Sequence, residues 1–235
     1  MGQKARLRLN RRGTVINLPS KQQESELGRV IVAVSEAITA EFGYRLEHRA
    51  RVVLTDIVGE LRATFPEVEF GDPLPTSSMS PDGGVLSLLG RDGALHPILI
   101  SEVKNQGTND LREAEGLKRQ PKGNAIERLG KNVIGFRAMM LDEQIMPFVC
   151  FGYGVDFEDG SPILDRVRTI AMFGGLNVVN VVNQGERGVF NRGSFFFREA
   201  KWTVDEMTAV LGEVASRAVH YYIAKYGSEA FATVD

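Results

Sequence analysis

One cysteine in 235 residues leaves no partner for an intramolecular disulfide and fits a reducing compartment. Cys150 lies in the apolar run PFVCFGYG, which reads as a buried, inert thiol rather than a nucleophile. No apolar run approaches the roughly 20 residues that a membrane-spanning helix needs. No apolar segment follows the basic opening MGQKARLRLNRR, so the sequence predicts no signal peptide and a cytoplasmic protein. His48, His96 and His220 are widely scattered, and neither a P-loop nor a dinucleotide fingerprint is present. A small-molecule enzyme therefore has little support. Net charge is also nearly absent, at -2, and by itself argues neither for nor against a nucleic-acid partner.

The distribution of charge says more. Residues 1–12 hold five Lys or Arg and no acid, and residues 117–137 hold six against Glu127 alone. A locally basic stripe on a mildly acidic body suits a surface that faces a polyanion, although such runs also serve as plain solvated helix faces. The hydrophobic content of 43% is enough for a full core. The expectation is one domain over residues 1–235, with 1–19 a flexible basic arm.

Apolar residues from Leu27 to Phe42 recur at three or four, which predicts an amphipathic helix over 21–42. A second helix is expected over 50–65, stopped by Pro66. Residues 72–81, with three prolines, read as loop. The runs 84–89 and 95–104 flank GRDG as a β-hairpin. The polar stretch after Gly107 is too punctuated to predict a firm helix. Residues 124–141 read as a helix with Ile126, Val133, Ile134 and Leu141 on one face. The run 145–152 is apolar enough for a strand buried on both faces. Strands are expected over 167–173, 176–182 and 194–198, and a last helix over 204–225 between Thr203 and Gly227. The fold class that follows is α/β: a mixed sheet of five or more strands flanked by helices on both sides.

The chemistry concentrates between Ser77 and Arg128. Glu102 and Lys104 are two apart on a strand and so share a face. Asp82 enters the preceding hairpin strand and can come alongside Glu102. Two carboxylates so placed make a hard oxygen site suited to Mg²⁺, with Gly83 and Gly84 leaving room for a phosphate backbone. A nearby lysine could orient a water and offset charge developing on phosphate. Acid-x-lysine is equally common as a solvated surface pair, and PDGG as a plain turn. The following GNAIER can be a helix cap. It also places residue types that read base edges at a helix start: Asn for adenine, Arg for purine acceptors, an alanine methyl for thymine.

Three blocks resemble the EcoRI-like type II restriction endonucleases of the PD-(D/E)xK nuclease superfamily: SSMSPDGGV, ISEVKNQG and GNAIERLGKN, with a weaker fourth in MPFVCFGYG. The resemblance implies a restriction-endonuclease-like fold and a homodimer that cuts a palindromic duplex with Mg²⁺, leaving 5′-phosphate, 3′-hydroxyl and staggered ends. It makes Asp82 and Glu102 carboxylate ligands, the Val103 carbonyl a further ligand, and Lys104 the residue that positions water or stabilises charge. Asn124, Ala125 and Arg128 would read an inner AATT core, with Glu127 accepting from adenine amino groups and bracing Arg128, and Gly123 would belong to the same DNA-binding set. Lys122 stands where the family's namesake has a small residue, the insert before Gly123 is shorter, and the C-terminal third matches poorly. Lys122 or Arg119 could therefore read an outer G·C pair in either orientation, giving GAATTC or CAATTG. A functional restriction enzyme also implies a cognate DNA methyltransferase. The competing expectations are a structure-specific or repair nuclease of the same superfamily, and a DNA-binding protein with an inactive metal site.

Overall fold

The computed structural model describes residues 17–105, 107–118, 124–157, 161–176, 178–179, 181 and 189–234. Helix α1, Asn17–Phe42, buries Leu27, Val30, Ile31, Val34 and Ile38 along one stripe. It starts four residues before the expected point, so residues 17–19 are helical rather than part of an extended arm. Pro19 is tolerated there because a first-turn N–H has no intrahelical acceptor. Residues 1–16 of the expected arm lie outside the described residues.

Strand β1, Leu46–Arg49, is followed by β2, Val52–Val53, and helix α2, Leu54–Thr64. The expected helix over 50–65 loses its first turn because Val52 and Val53 pair with Met79 and Ser78 of β3, Ser78–Met79. Two adjacent β-branched residues suit that two-stranded ribbon better than a helix start. The hairpin forms as expected, from β4, Val85–Leu89, and β5, Leu95–Asn105. Its register shifts where Ser87 faces Pro97, and a residue without an N–H is accommodated at that irregularity.

Three expectations fail in the middle of the chain. The polar stretch after Gly107 forms helix α3, Gly107–Ala114. Tertiary bonds hold it: Asn109 Nδ2 donates to both Asp156 carboxylate oxygens at 3.0 Å, and the Val155 N–H donates to Asp110 Oδ1 at 2.8 Å. The expected strand over 167–173 is instead the end of helix α5, Pro162–Phe173. Ser161 caps it by accepting from the Ile163 N–H, and Ile163, Leu164, Val167 and Ala171 are buried at helical spacing. In the expected strand over 176–182, the described residues 176, 178, 179 and 181 are not in a strand, although Leu176, Val179 and Val181 are buried.

Between them, α4, Asn124–Met139, buries Ile126, Leu129, Val133 and Phe136, followed by Met140. Its inward face is rotated from the expected one, since Ile134 is 70% exposed and Leu141 is also exposed. Strand β6, Phe148–Tyr153, lies at the centre as expected. With β7, Phe190–Asn191, and β8, Phe195–Arg198, the sheet has six strands in the order β1-β4-β5-β6-β8-β7. Strands β5, β6 and β8 run parallel, and the outer pairs run antiparallel. The observed architecture is the expected mixed sheet flanked by helices.

Helix α6, Val204–Tyr226, opens on a capping box between Thr203 and Glu206 and stops at Gly227, whose φ of 86° favours glycine. Where β8 hands over to α6, Arg198 donates to the Ala200 and Lys201 carbonyls and, at 2.6 Å, to Glu206. Its guanidinium also lies 3.8 Å from the centre of the Trp202 ring. The Arg198 hydrogen bond pulls the Glu206 carboxyl down to about 2, burial opposes this, and the Thr203 backbone bond adds to it. A depressed carboxyl contributes stability that is complete above its unfolded pKa of about 4.3 and disappears as pH falls through about 2. Glu206→Gln should therefore lower stability near neutral pH by about 1 to 2 kcal/mol, allowing for partial exposure. Denaturant titrations should show the gap from wild type closing between pH 5 and pH 2, by roughly the linkage window. A gap that stays constant with pH would show that Glu206 acts through packing alone.

Candidate active site

The site begins where β4 gives out. Pairing between β4 and β5 ends at Val85 and Ile100, so Ser101 to Asn105 run on past their hairpin partner. The Pro81–Gly84 turn covers this edge. Gly84 N–H donates to the Pro81 carbonyl at 2.9 Å, and Gly83 N–H donates to the Ser101 carbonyl at 2.9 Å. Gly84 has φ of +73°, a conformation that side chains rarely adopt. A Cβ on Gly83 would overlap Ser101 Oγ and press on Leu27, and one on Gly84 would meet His48. Both glycines are buried, so their space is used to seat the turn against β5, α1 and β1. That differs from the expected room for a phosphate backbone. His48 Nε2 lies 2.9 Å from the Gly83 carbonyl and fixes the turn from β1.

So held, Asp82 accepts at Oδ2 from the Val103 N–H at 3.1 Å and from Lys104 Nζ at 3.5 Å. In a strand, the N–H and C=O of one residue point to the same side, so the Val103 carbonyl also faces the Asp82 turn. Glu102 and Lys104 project together from the opposite face to Ser101 and Val103. Lys104 Nζ is ion-paired with Glu102 Oε1. From α4, the Asn132 amide donates to Glu102 Oε1 at 3.3 Å and Oε2 at 3.1 Å. The Glu102 side chain is only 3% exposed.

This burial raises the Glu102 carboxyl; Lys104 and the Asn132 bond pull it back, and Asp82 adds to the rise. Burial would lower the Lys104 ammonium, but Glu102 and then Asp82 hold it above its ordinary value. Beside Glu102 on β6 sits Cys150, whose thiol burial pushes well up, so it is the inert thiol expected. Among the described residues no group of three or more His, Cys, Asp or Glu side chains gathers as a metal cluster. The donors that converge are two carboxylates and a backbone carbonyl. Such a set fits Mg²⁺, which takes one or two carboxylates and fills its other positions with water and phosphate oxygens.

The structure therefore brings Asp82, Glu102, Val103 and Lys104 together. The backbones of Asn124, Ala125, Glu127 and Arg128 form the first turns of α4, while their side chains lie outside the described residues. Arg119, Lys122 and Gly123 lie outside them altogether. Sequence reasoning missed Asn132 and His48. Asn132 falls within GNAIERLGKN, but an asparagine inside a helix carries no signal until the strand it faces is known.

The comparisons agree with this geometry. The profile of a family described as "Restriction endonuclease EcoRI" matches residues 12–229. The type II restriction enzyme RsrI of Cereibacter sphaeroides is 28% identical over 242 residues, covering 88% of this chain and 87% of the relative. The type II restriction enzyme EcoRI of Escherichia coli is 29% identical over 147 residues, covering 59% of this chain and 53% of the relative. Among the described residues, no helix is long and apolar enough to cross a membrane.

Proposed function

The chain belongs to the restriction endonuclease EcoRI family and is a type II restriction endonuclease acting on DNA, and from that premise we propose that it works as a Mg²⁺-dependent homodimer cutting a palindrome with an inner AATT core. The observation that carries the reading is the convergence of Asp82 and Glu102 on Lys104, beside the helix that begins with Asn124. The structure-specific and non-catalytic alternatives fall to the family membership.

Asp82, Glu102 and the Val103 carbonyl would hold the ion. When bound, Mg²⁺ supplies Lewis-acid polarisation of the scissile phosphate and a more acidic water. Lys104, kept as an ammonium by Glu102 and Asp82, would orient the attacking water by donating to it and offset charge that grows on the phosphate oxygens. In the DNA-free chain its ammonium supplies the positive charge that these two carboxylates require. Hydrolysis leaves a 5′-phosphate and a 3′-hydroxyl, and cuts placed symmetrically about the dimer axis give staggered ends. Asn124, Ala125 and Arg128 read the inner bases, Glu127 accepts from adenine amino groups, and Gly123 lets the chain enter the groove. Lys122 or Arg119 sets the outer pair, as GAATTC or CAATTG. Residues 1–235 act as one domain, in the cytoplasm, alongside a cognate DNA methyltransferase that protects the host site.

Digestion of a plasmid of known sequence with Mg²⁺, followed by sequencing of the fragment ends, tests this directly. Every end should carry AATT within one shared palindrome, and the flanking base identifies the outer pair. Ends without a common AATT overturn the recognition assignment.

A further inference from the structure

We propose that Asn132 is a positioning residue that couples the base-reading helix to the Glu102 carboxylate. The proposal rests on the reading of Glu102 as a metal ligand and of GNAIER as the base reader.

Glu102 is nearly enclosed, and two side chains from the described residues hold its oxygens. Lys104 belongs to the same strand and moves with it. Asn132 belongs to α4, so it reports the position of a different element. It lies eight residues beyond Asn124, about 12 Å along the same helix axis. The intrahelical bonds make that segment stiff, and a shift of the first turn on engaging bases reappears at Asn132. The buried Leu129, Val133 and Phe136 keep α4 against the sheet, which limits the motion to a small slide or tilt. A displacement of a few tenths of an ångström is enough to matter, because both amide contacts already lie at 3.1 and 3.3 Å.

In the DNA-free state, therefore, the amide and Lys104 occupy the oxygens that a cation would use. Seating α4 on its site loosens or re-aims the amide and presents the carboxylate. Asn132 makes the carboxylate's availability depend on what the helix has read. A residue that merely satisfied a buried acid would have the same effect whatever the DNA sequence. Thermodynamic reciprocity separates the two: if reading the site alters Glu102 through Asn132, altering Glu102 must change affinity for the site through Asn132.

The test is a double-mutant cycle on DNA affinity in EDTA, using the full chain with Glu102→Ala, Asn132→Ala and both together. One duplex carries the mapped site and another a single inner-base change. The expected coupling is about fivefold or more on the correct duplex and near unity on the altered one. With Mg²⁺, Asn132→Ala should narrow the ratio of single-turnover cutting rates between the correct and the altered duplex by about fivefold or more. Asn132→Leu, close in size and with neither a donor nor a charge, should lose the same coupling and covers the case in which the alanine variant does not fold. Equal effects on both duplexes overturn the proposal. Full-rate cutting by Glu102→Gln sinks instead the reading of Glu102 as a ligand, and so tells the two failures apart.

Discussion

Lys104→Ala should abolish detectable cutting, a loss of at least about 10²-fold to 10³-fold in single-turnover rate, while the duplex is still bound. Lys104 Nζ reaches both Asp82, at 3.5 Å, and Glu102, and among the described residues no other ion pair forms with either carboxylate. On the proposed reading, removing the ammonium takes away the group that orients water and offsets phosphate charge. It also strands Glu102 as an almost enclosed acid without its counter-charge. Asp82→Ala should fail as completely, by a different route: it removes one of the two carboxylates and the acceptor of the Val103 N–H. Neither change touches the first turn of α4, proposed to read bases, so affinity for the duplex, measured by fluorescence anisotropy in EDTA, should remain within about threefold for either variant, a difference below 1 kcal/mol. Rapid-quench cutting assays supply the rate. If binding falls as far as cutting does, these residues hold DNA rather than perform its chemistry.

What the sequence made legible was local. The β4–β5 hairpin was bounded by its own turn residues, and α6 carried its cap and stop at Thr203 and Gly227. The acidic pair and lysine could be placed because a strand's alternation and a hairpin's spacing fix relative positions over short distances. Helix α5 was hidden because Val167, Thr169 and Ile170 have strand-like side chains, whereas Ser161 and Pro162 start a helix there and the core accepts its buried face. Helix α3 was hidden for the opposite reason. Its anchors at Val155 and Asp156 are 45 or more positions away. Asn132 belongs to the same class: its partner is 30 residues distant, on an element whose facing side had to be known first.

The same distinction applies to the glycines of PDGG. A glycine signals that something approaches closely, but not what. Here the close neighbours are Ser101, Leu27 and His48, all within the protein. They seat Asp82 beside the stretch of β5 that β4 leaves unpaired. The turn therefore takes over from β4 just where the pairing ends, and a side-chain carboxylate accepts the N–H that a backbone carbonyl would otherwise have taken. The candidate active site lies where β5 runs on past β4 while still paired with β6.

Asn124→Ala should have the second large effect, on affinity. A bidentate amide contact to adenine discriminates by about 1–3 kcal/mol per base, and in a two-fold symmetric complex the substitution is made twice. The combined loss is about 2–6 kcal/mol, or about 30-fold to 10⁴-fold in affinity for the correct site. Alanine also removes a good helix-start residue, since Asn124 opens α4. A stability loss alone could then imitate a recognition loss. Asn124→Asp separates them. Aspartate starts a helix as well as asparagine does, and its charge favours the helix N-terminus, but it cannot donate to adenine N7. Asn124→Asp should therefore keep the thermal midpoint of wild type, lose affinity for the mapped site at least as severely as alanine, and retain weaker discrimination between that duplex and one with an altered inner base. Thermal melts alongside anisotropy titrations on the two duplexes measure all three. If Asn124→Asp binds the mapped site within about twofold of wild type, under 0.5 kcal/mol, the adenine contact is made elsewhere and Asn124 serves only to begin the helix.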